Sequence, residues 1–113
     1  MNVMTIKTEP NQWTLDDVRA SFLDCQGLFH ALGDAARQSI LLLLAEHERL
    51  NVGQVTELMH LSRPAISHHL KVLKDAGLIS LSRESRENYY SLMWDEPIGR
   101  LKRLIAQAES ACS

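Results

Sequence analysis

The sequence predicts a mainly α-helical fold with one β-hairpin, and three observations carry that prediction. Apolar residues recur at three- and four-residue spacing through most of the chain. The spacing changes to alternation only after residue 77. Residues that favour helix starts (Thr14, Asp34, Asn51, Ser62) stand at the head of successive helical stretches. The 113 residues are the size of one domain, 1–113. With 45% hydrophobic and 23% charged residues they suit a packed core rather than a disordered or collagen-like chain.

Each element follows from local chemistry. Thr14, with Asp16 and Asp17 behind it, caps a first helix whose stripe Leu15, Val18, Phe22, Cys25, Phe29 and Leu32 runs along one face. Residues 1–13 before it read as a flexible arm. Gly33 and Asp34 end that helix and start a second, reaching about His47, in which Ile40 to Leu44 are apolar all round and predict a buried, central helix. Asn51 caps a short third helix ending near Met59, and Leu61 closes a tight turn. Ser62 caps a fourth helix with Pro64 in its first turn, where a missing N–H costs little, and Gly77 ends it just past Ala76.

Two short helices joined by a tight turn over residues 52–76 make a helix-turn-helix. Alternation over 78–83 and 88–93, with a polar tip between, makes a hairpin or wing spanning 78–93. Asp95, Glu96 and Pro97 open the fifth and last helix, residues 96–112, with the stripe Ile98, Leu101, Ile105, Ala108 and Cys112. The architecture expected is therefore a winged helix-turn-helix of five helices. A chain this small cannot cover every stripe with one inner core, so the first and last helices are expected to form a homodimer interface. Leu15, Val18, Phe22 and Cys25 would meet Ile98, Leu101, Ile105 and Ala108 there.

Charge and spacing then restrict function. The net charge of −2 hides a division: residues 1–61 carry four Lys/Arg against eight Asp/Glu, whereas 62–113 carry eight against six. The basic half contains the fourth helix. At 100° per residue its inner face holds Ile66, Leu70 and Leu73, and Pro64, Ser67, His68, Lys71 and Asp75 point away, flanked by Arg63 and Lys74. Such a helix fits the DNA major groove, with Ser, His and Lys reaching base edges and Arg63 or Lys74 reaching phosphates. At the wing, Arg83 and Arg86 are candidates for backbone or minor-groove contacts, against the opposing charge of Glu84 and Glu87. His68 and His69 lie 100° apart and so have different tasks, His69 pointing inward.

The stretch from 31 to 92, and above all LSRPAISHHLKVLKDAGLI followed by a hairpin ending in Tyr89 and Tyr90, resembles the winged-helix core of the arsenic-repressor (ArsR/SmtB) family of bacterial transcription regulators. The resemblance implies a homodimer joined through its first and last helices, a double-stranded DNA operator as partner, and release of that operator by a small signal such as a small-molecule effector. It also sets out departures. Where metal-sensing members carry Cys-x-Cys, this chain has Asn51, Val52 and Gly53; residues 96–113 contain no His; Ser85 replaces the glycine of the wing tip; and Ala35 and Ala36 replace Pro-Thr before Arg37. No metal and no cofactor are expected.

Other functions are weaker on the residues. A winged helix can bind a protein instead of DNA, and Cys25 with Cys112 could form a thiol redox sensor, although no basic group near either is evident to lower its pKa. An enzyme is not expected: there is no Gly-rich phosphate loop, nucleophile elbow or metal triad. Neither a long apolar run nor an apolar N-terminal core is present, and two cysteines do not make a disulfide scaffold. The expected setting is cytoplasmic, without a membrane partner.

Overall fold

The computed structural model describes residues 13–112 of the chain. Nine elements follow in the order α1 (Leu15–Asp24), α2 (Gln26–Leu32), α3 (Ala35–Glu46), β1 (Leu50–Asn51), α4 (Val52–Met59), α5 (Arg63–Asp75), β2 (Ile79–Glu84), β3 (Glu87–Leu92) and α6 (Asp95–Cys112). The expected N-terminal arm lies outside the described residues except for Trp13. The chain divides into two compact units, one formed by residues 27–97 and the other by residues up to 26 together with those from 98 onward.

The larger unit is the winged helix-turn-helix. Its core is built from Leu28, Ala31, Ile40, Leu41, Leu44, Leu50, Val55, Ile66, Leu70, Leu73, Leu78 and Ile79, all buried. The side chain of Asp34 caps α3 by accepting from the Arg37 N–H, and Asn51 and Gln54 form a reciprocal capping box at the start of α4. Ser62 caps α5 by accepting from the Ala65 N–H, with Pro64 in the first turn. Gly77, at φ 80°, ends α5 in a Schellman motif: the Leu78 N–H donates to the Leu73 carbonyl at 3.0 Å and the Gly77 N–H to that of Lys74 at 2.9 Å. That turn delivers the chain directly into β2, so the wing starts at a fixed place relative to α5.

Three expectations are corrected by the fold. The first helix is not continuous. It stops at Cys25, whose backbone N–H is shared between the carbonyls of Ser21 and Phe22 and whose ψ of 3° leaves the helical range, so six helices among the described residues replace the five expected. An apolar stripe constrains which face is buried and is blind to a one-residue interruption of the hydrogen-bond ladder. The helix expected to be buried all round is covered on one side only, since Leu42 is 68% exposed while Ile40, Leu41 and Leu44 are buried. The hairpin gains a third strand: β1 pairs antiparallel with β3, Leu50 opposite Tyr90 and Asn51 opposite Tyr89, giving the order β1-β3-β2. Two residues are too few for alternation to register as a strand.

The wing itself has its strands in the register Ile79 opposite Leu92 through Glu84 opposite Glu87. Its two-residue turn, Ser85 at φ 51° and Arg86 at φ 70°, has both central residues in the left-handed region, as a type I′ hairpin requires. The absent wing-tip glycine therefore leaves the turn in place, with a serine and an arginine holding a conformation that favours glycine.

His60 is a third non-glycine residue of this kind, ending α4 at φ 58°. A Cβ in that region costs about 1 kcal/mol. His60→Gly is accordingly expected to raise the urea midpoint by the equivalent of roughly 1 kcal/mol. A lower midpoint would show that the imidazole contributes packing that outweighs its backbone strain.

The smaller unit contains α1 and most of α6. Thr14 and Asp17 form a capping box on α1. The hydroxyl of Ser21 donates to the side-chain oxygen of Gln107, which is itself buried, and Arg100 reaches back to Asp24, donating to its carbonyl at 3.1 Å and pairing with its carboxylate at 3.6 Å. The Cys25 thiol lies 3.9 Å from the Arg100 carbonyl. Val18, Cys25, Leu104 and Gln107 are buried.

Candidate nucleic-acid interface

Helix α5 has its apolar face entirely buried at Ile66, Leu70 and Leu73, and it packs on α3, α4 and β2. A helix held on three sides presents its remaining face without freedom to roll. On that face Arg63, Pro64, Ser67, His68, Lys71 and Lys74 are all exposed, in agreement with the 100° construction. The guanidinium of Arg63 lies beside the start of α4, where a Cβ added at Gly53 would come within 3.9 Å of Nη1. Lys71 is partly engaged: its Nζ donates to Asp75 one turn on, at 3.0 Å, and this hydrogen bond holds the Asp75 carboxyl below its usual range.

His69 takes the inward position expected of it, and its partner is a buried arginine. Arg37, on α3, is 7% exposed, and each of its three guanidinium nitrogens has a partner. Nε donates to the Ala31 carbonyl at 2.9 Å, and Nη2 donates to that of His30 at 2.8 Å. Nη1 lies 3.2 Å from His69 Nδ1. An arginine has only donors, so Nδ1 of His69 is the acceptor and the imidazole proton sits on Nε2. One guanidinium thus satisfies carbonyls at the C-terminal end of α2 and fixes a residue of α5. Asp34 completes the group 4.0 Å away; the hydrogen bond from the Arg37 backbone N–H, helped by the nearby guanidinium, keeps its carboxyl below the usual range. In the sequence Arg37 stands out only as a landmark after Ala35 and Ala36. The readable signal is its spacing: positions 37, 40, 41 and 44 form one stripe on the buried side of α3.

At the wing, Arg83 and Arg86 are exposed, and Arg83 Nη1 donates to Asn88 Oδ1 across the hairpin at 3.2 Å. Glu84, which by sequence dilutes the positive tip, is instead paired. Arg49, in the segment before β1, places Nη1 2.5 Å from Glu84 Oε2 and stacks its guanidinium over Tyr89, 4.1 Å from the ring centroid. The hydrogen bond from Arg49 holds Glu84 below the usual carboxylate range, and the same bond raises Arg49 above the ordinary arginine value. No sequence pattern marks Arg49, because its partner lies 35 positions away and the strand that brings them together is only two residues long.

The expected dimer stripes divide by exposure. Leu15, Phe22 and Ile105 are half or more exposed, and Ile98, Leu101 and Ala108 are partly so, whereas Val18 and Cys25 are already buried within the chain. The buried positions on α6, Pro97, Leu104 and Gln107, all fall outside the expected stripe. Among the described residues no group of three or more His, Cys, Asp or Glu side chains is placed to hold a metal, and no helix is long and apolar enough to cross a membrane.

Residues 34–80 match the bacterial regulatory protein, arsR family. An uncharacterized HTH-type transcriptional regulator of Methanocaldococcus jannaschii is 37% identical over 78 residues, covering 69% of this chain and 83% of its own. The transcriptional repressor SdpR of Bacillus subtilis is 42% identical over 65 residues, covering 58% and 71%. In fold, the chain is similar to an ArsR-like transcriptional regulator from a Rhodococcus species, with a TM-score of 0.73 at 23% identity over 80% of this chain and 82% of that one. Relatives named as regulators and repressors favour DNA binding over the protein-partner and thiol-redox readings.

Proposed function

This chain belongs to the arsR family of bacterial transcriptional regulators and is a DNA-binding repressor; on that basis we propose that it reads an inverted-repeat operator as a homodimer, with α5 in the major groove of each half-site. The observation that carries the reading is the division of α5 between a fully buried apolar face and an exposed face bearing Arg63, Pro64, Ser67, His68, Lys71 and Lys74. Ser67, His68 and Lys71 meet base edges and Pro64 packs beside them, while Arg63 and Lys74 neutralise phosphates. Arg83 and Arg86 carry the wing to the adjoining backbone or minor groove.

In this reading the second copy joins through α1 and α6. Leu15, Phe22 and Ile105 supply the exposed apolar contact, and Ile98, Leu101 and Ala108 extend it. A two-fold symmetric reader of this kind takes half-sites about one helical turn of DNA apart, roughly 34 Å. The chain acts in the cytoplasm by binding rather than by catalysis.

Footprinting on the DNA flanking the protein's own gene, with a salt titration on any protected site, tests the proposal. The expected result is a symmetric protected repeat whose affinity falls steeply with salt, because each neutralised phosphate releases counterions. Salt-insensitive association with no protected repeat would overturn it.

A further inference from the structure

We propose that Arg49 is the positioning residue of the wing: by bridging Tyr89 and Glu84 it sets the angle at which Arg86 is presented to DNA. The inference rests on the reading of the wing as a DNA contact. Along β2 only Ile79 is buried and the last four residues are exposed, so the outer half of the hairpin has no core beneath it. A two-stranded ribbon without a covered face is marginal in water and twists easily. The turn it carries is also strained, with Ser85 and Arg86 both at positive φ.

The Ser82 to Glu84 and Arg83 to Asn88 hydrogen bonds lie within the hairpin and cannot tie it to anything else. Arg49 comes from outside. Its backbone precedes β1, whose Leu50 and Asn51 pair with Tyr90 and Tyr89, and its guanidinium continues outward over the Tyr89 ring to the Glu84 carboxylate. Glu84 is the residue immediately before the turn, directly opposite Glu87. One planar, five-donor head therefore links the root of the sheet to the last residue before the tip. Both members of the ion pair are about half exposed, so the pair adds little to global stability. Its effect is on direction, and it also neutralises an acidic charge beside Arg86 that would repel phosphate.

Glu84→Gln separates positioning from simple electrostatics because the two predict opposite signs. Removing an acidic charge from the tip should strengthen DNA binding if charge alone matters. Releasing the wing should weaken it. The probe is a duplex selected by the wild-type protein from a random-sequence pool, with a scrambled duplex of the same composition as reference. Glu84→Gln and Arg49→Lys are each expected to weaken binding to the selected and the scrambled duplex in parallel by about threefold to tenfold, the pattern of a lost Arg86 contact, with an unchanged unfolding midpoint. The double variant is expected to be no weaker than the worse single variant, since both break one bridge. Tighter or unchanged binding by Glu84→Gln, while Arg86→Ala still weakens binding, would overturn the positioning role. If Arg86→Ala itself has no effect, the wing is not a DNA contact and the inference falls with that reading.

Discussion

Arg37→Met is expected to lower the unfolding free energy by on the order of 3 kcal/mol, the range for removing one member of a buried, charge-assisted network. Methionine refills much of the space but donates nothing. The Ala31 and His30 carbonyls then lose their guanidinium donors at a helix end, His30 keeping the Gly33 N–H, and Nδ1 of His69 loses its donor in a half-buried setting. Urea or guanidinium unfolding should show a lower midpoint with an unchanged slope, and the melting temperature should fall by roughly 10 to 20 °C for a domain of this size. A second consequence separates this role from generic packing. His69 belongs to α5, so DNA discrimination should deteriorate in Arg37→Met at temperatures where the variant is still folded. A loss of stability below about 1 kcal/mol would mean that water substitutes for the guanidinium, and the network would then not be what holds α5.

The second large effect is a split between two ways of touching DNA. Ser67→Ala and His68→Ala are each expected to reduce discrimination between a selected operator and a scrambled duplex by about 1 to 3 kcal/mol, the value of a good base-edge interaction. Binding to the scrambled duplex should hardly change. Arg63→Ala and Arg86→Ala should instead weaken both duplexes in parallel and flatten the salt dependence by about 0.9 in logarithmic slope for each phosphate no longer neutralised. Titrations of the four variants at several salt concentrations make the comparison. If the two pairs behave alike, base reading and phosphate anchoring are not divided between the outer face of α5 and the basic groups around it.

Helix α5 is legible in the sequence because its determinants are local. Ser62, Pro64 and Gly77 fix where it begins and ends through backbone chemistry within a few residues. Ile66, Leu70 and Leu73 fix which side is buried, and the exposed face follows by subtraction. The hairpin is legible for the same reason, from its alternation and polar tip. The break at Cys25 is not, because the residues on either side keep the same stripe whether or not the ladder is interrupted.

Local pattern leaves open which polar side chain meets which across the chain. Arg37 and His69 are 32 positions apart and Arg49 and Glu84 are 35 apart, so their meeting depends on how α3, α5 and the three strands pack. Along the sequence each is an ordinary charge or an inward histidine; in the fold one pair ties α3 to α5 and the other reaches the wing tip. The helices, the hairpin, the exposed face of α5 and the family resemblance are all written in the chain as neighbouring residues. The buried network, the third strand and the partner of Glu84 arise only on folding. Helix and hairpin formation are governed by groups within a few residues of one another, whereas ion pairs and strand pairing between distant segments exist only once the core has brought them together.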